Sequence, residues 1–338
     1  MREKPDLKDE QIAGLVWDAY GLEINRVEFL PRGADYNAAV YRVVTREPAA
    51  YFLKLRKGSF EEISVLVPRF IFDQGIRQIL PPLKTKDGRL WASLEPYTCV
   101  LYPFIEGSNG FEKSLSDDQW ADFGTALHGI HSLVLPPELQ ERIPHETYSS
   151  RWREIVKRIQ ERVEHSVFED PLAAQMAAFM RIHRNEIRLL AERAGQLGSR
   201  LKSLPMERIL CHSDVHAGNL LLSTDDALYI VDWENPILAP KERDLMFIGA
   251  GVGGTWNSVR EETLFYQGYG EAEANPVALA YYRHERIVQD IAAYGEQILL
   301  SLEGGSDREQ GFQEFTSLFS PGGVVEIAYQ TDQKFEKR

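Results

Sequence analysis

Residues 210 to 222 read LCHSDVHAGNLLL, and YIVDWENP follows at 229 to 236 after a short acidic turn. Apolar runs suited to short strands flank a loop dense in Asp, His and Asn, so groups that a core would reject are carried on a turn. His212, Asp214 and Asn219 stand in the order H-x-D-x-x-x-x-N, and Asp232 comes just after the next strand-like run. Asp and Asn are common turn formers, but this spacing with a second Asp beyond a short hairpin is more specific than turn composition. Asn and Asp oxygens are hard donors that suit Mg²⁺, so Asn219 and Asp232 are expected to hold metal. Asp214, without metal duty, is expected to accept a hydrogen bond from a substrate hydroxyl, as base or as positioner. Such a set answers the needs of phosphoryl transfer, which asks for charge compensation and alignment more than for covalent help. His212 and His216 are expected to brace the loop backbone.

Upstream, DLKDEQIAGLVWDAY at 6 to 20 has helical spacing, and INRVEFLPRGADYNAAVYRVV with AYFLKLR, within 24 to 56, has the pattern of strands. SFEEISVLVPRFIFDQG then returns to helical period, with Ser59 as a possible cap, and WASLEPYTCVLYPFIEG supplies further strands. An ammonium inside YFLKL is hard to explain without a partner, so Lys54 is assigned to the nucleotide phosphates, with Glu62, or next to it Glu61, as its ion-pair mate. The turn carrying Gly33, Asp35 and Asn37 could lay backbone N–H groups over phosphates, though it has one glycine and could be a simple turn. Tyr102, Phe104 and Ile105 fall where the composition changes, the place for a connector that offers backbone groups to an adenine.

Beyond Gly107 the chain is mostly helical, with Ser116 a plausible cap for SDDQWADFGTALHGIHSL and long charged helices from Ser150 to Leu201. The division is therefore an N-terminal nucleotide-binding lobe over 1–105, ending in the connector, and a catalytic and substrate-binding helical lobe over 106–338. Of 338 residues, 43% are hydrophobic and 26% charged, the balance of a folded chain and not of a disordered one. No apolar run approaches the roughly 20 residues that span a bilayer, and MREKPDLKDEQ has no apolar stretch of a secretory signal, so a cytoplasmic location is expected, and the protein is expected to be a monomer. Cys99 and Cys211 are far apart in sequence and expected to be free thiols. A formal charge of −13 disfavours nucleic acid and anionic membrane as partners.

Lys54, the stretch at 210 to 222 and YIVDWENPILAPKERDLMFIG at 229 to 249 resemble the aminoglycoside phosphotransferase family, which shares its fold with protein kinases and choline kinases. Within it the chain looks most like the spectinomycin phosphotransferases, through GADYNAAVY, YFLKL, YPFIEGSNGF, LAPKERDLMFIGAGVG, YYRHERIVQDIAAYG and VVEIAYQTDQ. The resemblance implies an α+β, bilobal protein-kinase-like fold with a small β-rich N-terminal lobe and a larger helical one. It also implies ATP, with GTP as the alternative, and Mg²⁺. Trp233-Glu234 stands where protein kinases have Phe-Gly.

Asp232 is only 12 residues before Asp244, which reads as the cap of DLMFIGAG with Arg243 as a brace. That leaves little room for a peptide platform, so the acceptor should be small. Aminocyclitols are cationic and polyhydroxylated, and a site for them should offer carboxylates and aromatic faces. The candidates are Glu234, Trp256, Tyr282, Glu285 and Asp290. The resemblance implies spectinomycin as the acceptor; the alternatives are a kinase for choline, homoserine or a sugar, and an inactive nucleotide-binding regulator.

Overall fold

Val, Tyr, Phe and Leu alternate with smaller or charged residues through much of the first hundred positions, and the backbone answers with strands. The structure is a computed structural model describing residues 4–31, 37–47, 49–271, 273–301 and 305–336. In chain order its elements begin with α1 (Asp9–Tyr20), β1 (Ile24–Leu30), β2 (Ala38–Thr45), β3 (Ala50–Lys57), α2 (Ile63–Asp73), β4 (Ala92–Leu94), β5 (Tyr97–Pro103), β6 (Gly107–Asn109), α3 (Asp117–His131) and α4 (Pro137–Gln140). They continue with α5 (Arg151–His165), α6 (Pro171–Ile182), α7 (Arg184–Leu201), β7 (Ile209–Cys211), β8 (Leu220–Ser223), β9 (Leu228–Ile230) and β10 (Ile237–Ala239). Among the described residues the last helices are α8 (Glu242–Leu245), α9 (Val259–Tyr269), α10 (Pro276–Leu299), α11 (Gly305–Ser317) and α12 (Val324–Glu336).

Two compact units result. The first takes Met1–Lys113, Val134–Ile143 and Asn219–Pro236; the second takes Ser114–Leu133, Pro144–Gly218 and Ile237–Arg338. Where the sequence suggests one division after residue 105, the chain returns to the first unit twice.

In the first unit, β1 to β5 form an antiparallel sheet in the order β1-β2-β3-β5-β4. Successive side chains on a strand point to opposite faces. On one face Tyr41, Val43, Leu53, Leu55, Cys99 and Leu101 bury against Ile12, Leu15 and Val16 of α1. Gly21 ends that helix in the left-handed conformation, φ 73°, which costs glycine little. The alternation sends Lys54 to the other face, in register with Val40 on β2 and Val100 on β5. Val65 of α2 and Leu90 pack there with Val100 and, at the edge, Tyr102. The second helix starts at Ile63, with Glu62 at its N-cap position, so Ser59 is not the cap that the sequence suggests. A smaller sheet, β6-β8-β9, completes the unit, and Ile79 bridges Ile230 at its edge.

The second unit is a helical body around α10, whose residues Ile287, Val288, Ile291 and Ala292 are buried among apolar side chains of α5, α6 and α7. Ser116 caps α3 as expected, its Oγ accepting from Gln119 N at 3.2 Å. Asp170 caps α6 in the same manner, accepting from Ala173 N at 2.8 Å. The third and ninth helices pack very closely because glycines face the opposite backbone: a Cβ on Gly124 would strike the Phe265 carbonyl, and one on Gly268 the Ala121 carbonyl. Among the described residues no helix is long and apolar enough to cross a membrane.

The α3/α9 contact gives a simple test. Gly124→Ala or Gly268→Ala should each destabilise the protein by about 1–3 kcal/mol, because backbone must move to admit the methyl group. Gly14→Ala in α1, where nothing lies within 4 Å of the added carbon, should instead be neutral or stabilise by up to about 1 kcal/mol. Thermal unfolding of the three variants checks the contrast.

Candidate active site

The loop after β7 is held from below by one carboxylate. Asp244, fully buried, accepts from His212 N at 2.8 Å on Oδ2 and from Ser213 N at 2.6 Å on Oδ1. The sequence reading made Asp244 a helix cap, but it lies inside α8 and spends its oxygens on this loop. Ser213 has φ 73°, a left-handed conformation that a non-glycine residue adopts at some cost, so the loop needs such a clamp. Behind it, His131 Nε2 lies 3.1 Å from Asp244 Oδ2, and His131 Nδ1 lies 2.7 Å from the Tyr269 hydroxyl. His131, Cys211 and Asp244 offer ligand atoms within 4.8 Å of one another. Each already has a partner, the Cys211 thiol reaching the Ala239 and Pro240 carbonyls at 3.6 Å, so the cluster is a brace. Burial would raise the Asp244 carboxyl's pKa. The hydrogen bond and charge of His131, helped by His212, outweigh it and keep the group below the ordinary carboxylate value.

The two loop histidines brace the backbone as the sequence reading expects. Asp214 N donates to His212 Nδ1 at 3.2 Å, and Gly218 N donates to His216 Nδ1 at 3.0 Å. Asp214 itself is bound by Arg286 of α10, whose Nη1 donates to its Oδ1. Its other oxygen lies 3.7 Å from His216 Nε2. Burial opposes the charge on Asp214, but the Arg286 guanidinium and then His216 overcome that and hold its carboxyl well below the usual range. Nothing in the residue pattern alone singles out Arg286; only the packing of α10 beside the loop does.

In the first unit the candidate metal ligands come together through the main chain, Val231 N donating to Asn219 O at 2.9 Å. Asp232 has φ 67°, a left-handed position that Asp tolerates better than most residues. Lys54 Nζ lies 3.0 Å from Asp232 Oδ1 and also binds Glu234 Oε1, while Arg56 Nη1 holds Glu234 Oε2 at 2.7 Å. Burial works against the ammonium, yet the carboxylates of Asp232 and Glu234 outweigh it and raise the Lys54 pKa above its ordinary value.

This corrects two sequence assignments. Glu62 does not pair with Lys54; it binds Arg142 at 2.6 Å. Glu234, assigned to the acceptor in the helical lobe, belongs to the first unit and is the anchor of Lys54. Proximity to α2 favoured Glu62 in sequence, whereas Glu234 comes close only through the fold.

Gly33 and Asp35 lie outside the described residues, while Asn37 accepts from Lys57 N at 2.8 Å through its main-chain oxygen. Tyr102 shares the Lys54 face of the sheet, and Phe104 lies under the Arg42 guanidinium, 4.8 Å from ring centroid to Cζ. Phe104 N donates to Ala50 O, and Leu101 O accepts from Leu83 N on the side away from β3. The alternation along β5 turns the Pro103 carbonyl to that same outer side.

A cavity of about 600 Å³ opens in the second unit, lined among others by Asn257, Arg286, Asp290, Gln313 and Glu314. Arg283, Arg286, Ile287 and Asp290 follow the i, i+3, i+4, i+7 rule and present one face of α10 to it. Tyr282 and Glu285 are not among its lining residues: Tyr282 is buried under Arg243, and Glu285 is paired with Arg153. Burial pushes the Glu285 carboxyl up to about 7 even so. Trp256 packs edge-on against Trp120 with ring centroids 5.1 Å apart. Of the aromatic and acidic candidates from sequence, Trp256, Tyr282 and Glu285 are thus core residues, and Asp290 is the one that reaches the cavity.

Residues 28–282 match the model of the phosphotransferase enzyme family. The chain belongs to this family. The fold agrees closely with spectinomycin phosphotransferase APH(9)-Ia solved with ADP and spectinomycin, at 39% identity and a TM-score of 0.90, covering 98% of this chain and 100% of that one. The AMP-bound complex of spectinomycin phosphotransferase APH(9)-Ia gives 37% identity and a TM-score of 0.86, covering 96% and 98%. An aminoglycoside phosphotransferase from Alicyclobacillus acidocaldarius subsp. acidocaldarius shares the fold at 14% identity and a TM-score of 0.65, over 100% and 99% of the two chains. The α+β kinase-like fold and the reading as a hydroxyl-directed phosphotransferase both stand.

Two of the contacts make predictions about the phosphotransferase. Asp244→Asn should lower stability at pH 7 by on the order of 3 kcal/mol, since His131 and the loop N–H groups lose a charged partner. Because the folded-state pKa is depressed, the stabilisation from Asp244 is full above the unfolded carboxyl value near ~4 and is lost as pH falls through the folded value. The gap between wild type and variant in urea unfolding should therefore shrink in acid. Glu234→Gln should raise the KM for nucleotide by about tenfold through loss of the Lys54 anchor, whereas Glu62→Gln should leave it within about twofold; steady-state kinetics distinguish them.

Proposed function

We propose that this phosphotransferase moves the γ-phosphoryl of ATP onto a hydroxyl of a cationic aminocyclitol, with spectinomycin as the acceptor. Support comes first from 39% identity along nearly the whole chain to an enzyme whose solved complex holds ADP and spectinomycin. The cavity agrees in size with a small-molecule site, and Asp290 and Glu314 on its wall offer carboxylates to an ammonium. GTP is the alternative donor.

The nucleotide would lie along the Lys54 face of the sheet, its adenine meeting the Pro103 carbonyl and the Ile105 N–H, and its phosphates meeting the Lys54 ammonium. Asn219 and Asp232 fit Mg²⁺ by donor chemistry, and Asp232 already attracts the charge of Lys54. Bound there, the ions would offset the phosphate charge. Asp214 would accept the hydrogen bond of the acceptor hydroxyl and set its oxygen in line with the γ-phosphorus. The new O–P bond forms as the bond to the β–γ bridging oxygen breaks; ADP leaves, and the hydroxyl proton passes to Asp214 and then to solvent. A carboxylate bound to a guanidinium is a weak base, so its service is chiefly alignment, with the proton moving late.

A panel of spectinomycin, other aminocyclitols and aminoglycosides, choline, homoserine and simple sugars, assayed for ADP release with Mg²⁺, tests the acceptor. Spectinomycin should be turned over with the highest kcat/KM; inert spectinomycin beside an efficient metabolite would overturn the proposal. Asp214→Asn should cut kcat by about 10²–10⁴-fold while ADP binding persists.

A further inference from the structure

The geometry points to Arg286 as the positioning residue of Asp214, itself held in place by Asp290, an inference that rests on the reading of Asp214 as the group that aligns the acceptor. A carboxylate on a short side chain can turn about its terminal torsion, and alignment requires that it be stopped. Arg286 does this from a rigid base. It projects from the buried helix α10, donates through Nη1 to Asp214 Oδ1, and donates through Nε to Asp290 Oδ1 at 2.9 Å, four residues further along the helix.

The planar guanidinium serves both carboxylates at once, which a point-charge ammonium does less well. It also lies over the Phe247 ring, 5.7 Å from Cζ to the centroid. That ring is fixed in turn one helical turn earlier: Arg283 Nε donates to Met246 O at 3.1 Å, its Nη2 to Ile248 O at 2.6 Å, and its Nη1 to Thr331 Oγ1 at 2.6 Å. The clamp therefore runs from α12 through Arg283 and the 246–248 segment to Arg286.

A guanidinium already bound by two carboxylates has little to offer a phosphate, which separates this role from direct contact with the nucleotide.

The test is steady-state kinetics on Arg286→Lys, Arg286→Gln, Asp290→Asn and the double variant Arg286→Gln/Asp290→Asn, with folding checked by melting temperature. Arg286→Gln should lose about 10²–10³-fold in kcat with the KM for ATP within about threefold of wild type, and Arg286→Lys should recover part of the loss. Asp290→Asn should lose less, and the double variant should be no worse than Arg286→Gln, because Asp290 acts through Arg286. A kcat near wild type in Arg286→Gln, a loss confined to the KM for ATP, or losses that multiply in the double variant would each overturn the assignment. If Arg286→Gln does not fold, Arg286→Lys and Asp290→Asn carry the same comparison. Failure of the spectinomycin reading shows in the wild type alone, and the variants are then compared on whichever acceptor of the panel the wild type phosphorylates.

Discussion

The loop that carries Asp214 depends on a charge that the protein has removed from water altogether. Asp244 is completely buried, and an unpaired carboxylate in that position would not remain ionised. It stays charged because two main-chain N–H groups and His131 converge on it. In return it holds Ser213 in a backbone conformation the residue would not choose, and so determines where the next residue, Asp214, can point. A hydrophobic support of the same volume could fill the space but could not grip two amides.

The same economy of charge recurs in each unit. Lys54 is kept extended on its sheet face by Asp232 and Glu234, and Glu234 is steadied by Arg56. Asp214 is kept in one orientation by Arg286, which Asp290 steadies. In both cases the functional side chain is tied to an opposite charge, and that partner is held by a third charged residue. The arrangement preserves ionisation against burial and removes rotational freedom before substrate arrives, which is what phosphoryl transfer asks of a protein that contributes little covalent chemistry. A formal charge of −13 gives the surroundings no general excess of cations.

Period-two alternation made the β-rich beginning legible, and helical period with acidic starts and a serine cap made the rest legible, because both patterns arise from neighbours in the chain. His212, Asp214, Asn219 and Asp232 were legible for the same reason: they sit on one loop and one short hairpin, where spacing is geometry. Lys54 was readable as a charge misplaced in an apolar strand. Its partner was not, since Glu62 is near in sequence and Glu234 is near only after folding.

The acceptor side shows the same limit more sharply. Trp256, Tyr282 and Glu285 have the right chemistry for a cationic polyol, but Trp256 packs against Trp120, Tyr282 and Glu285 are buried along α10, and of that helix Arg286 and Asp290 line the cavity. Sequence by itself determined the fold class, the local shape of the loop at 212 to 219 and the identity of its polar groups, all consequences of contacts a few residues apart. The tertiary structure alone decided which distant charges hold those groups, because a buried ion's partner is set by helix and strand packing and leaves no periodic trace along the chain.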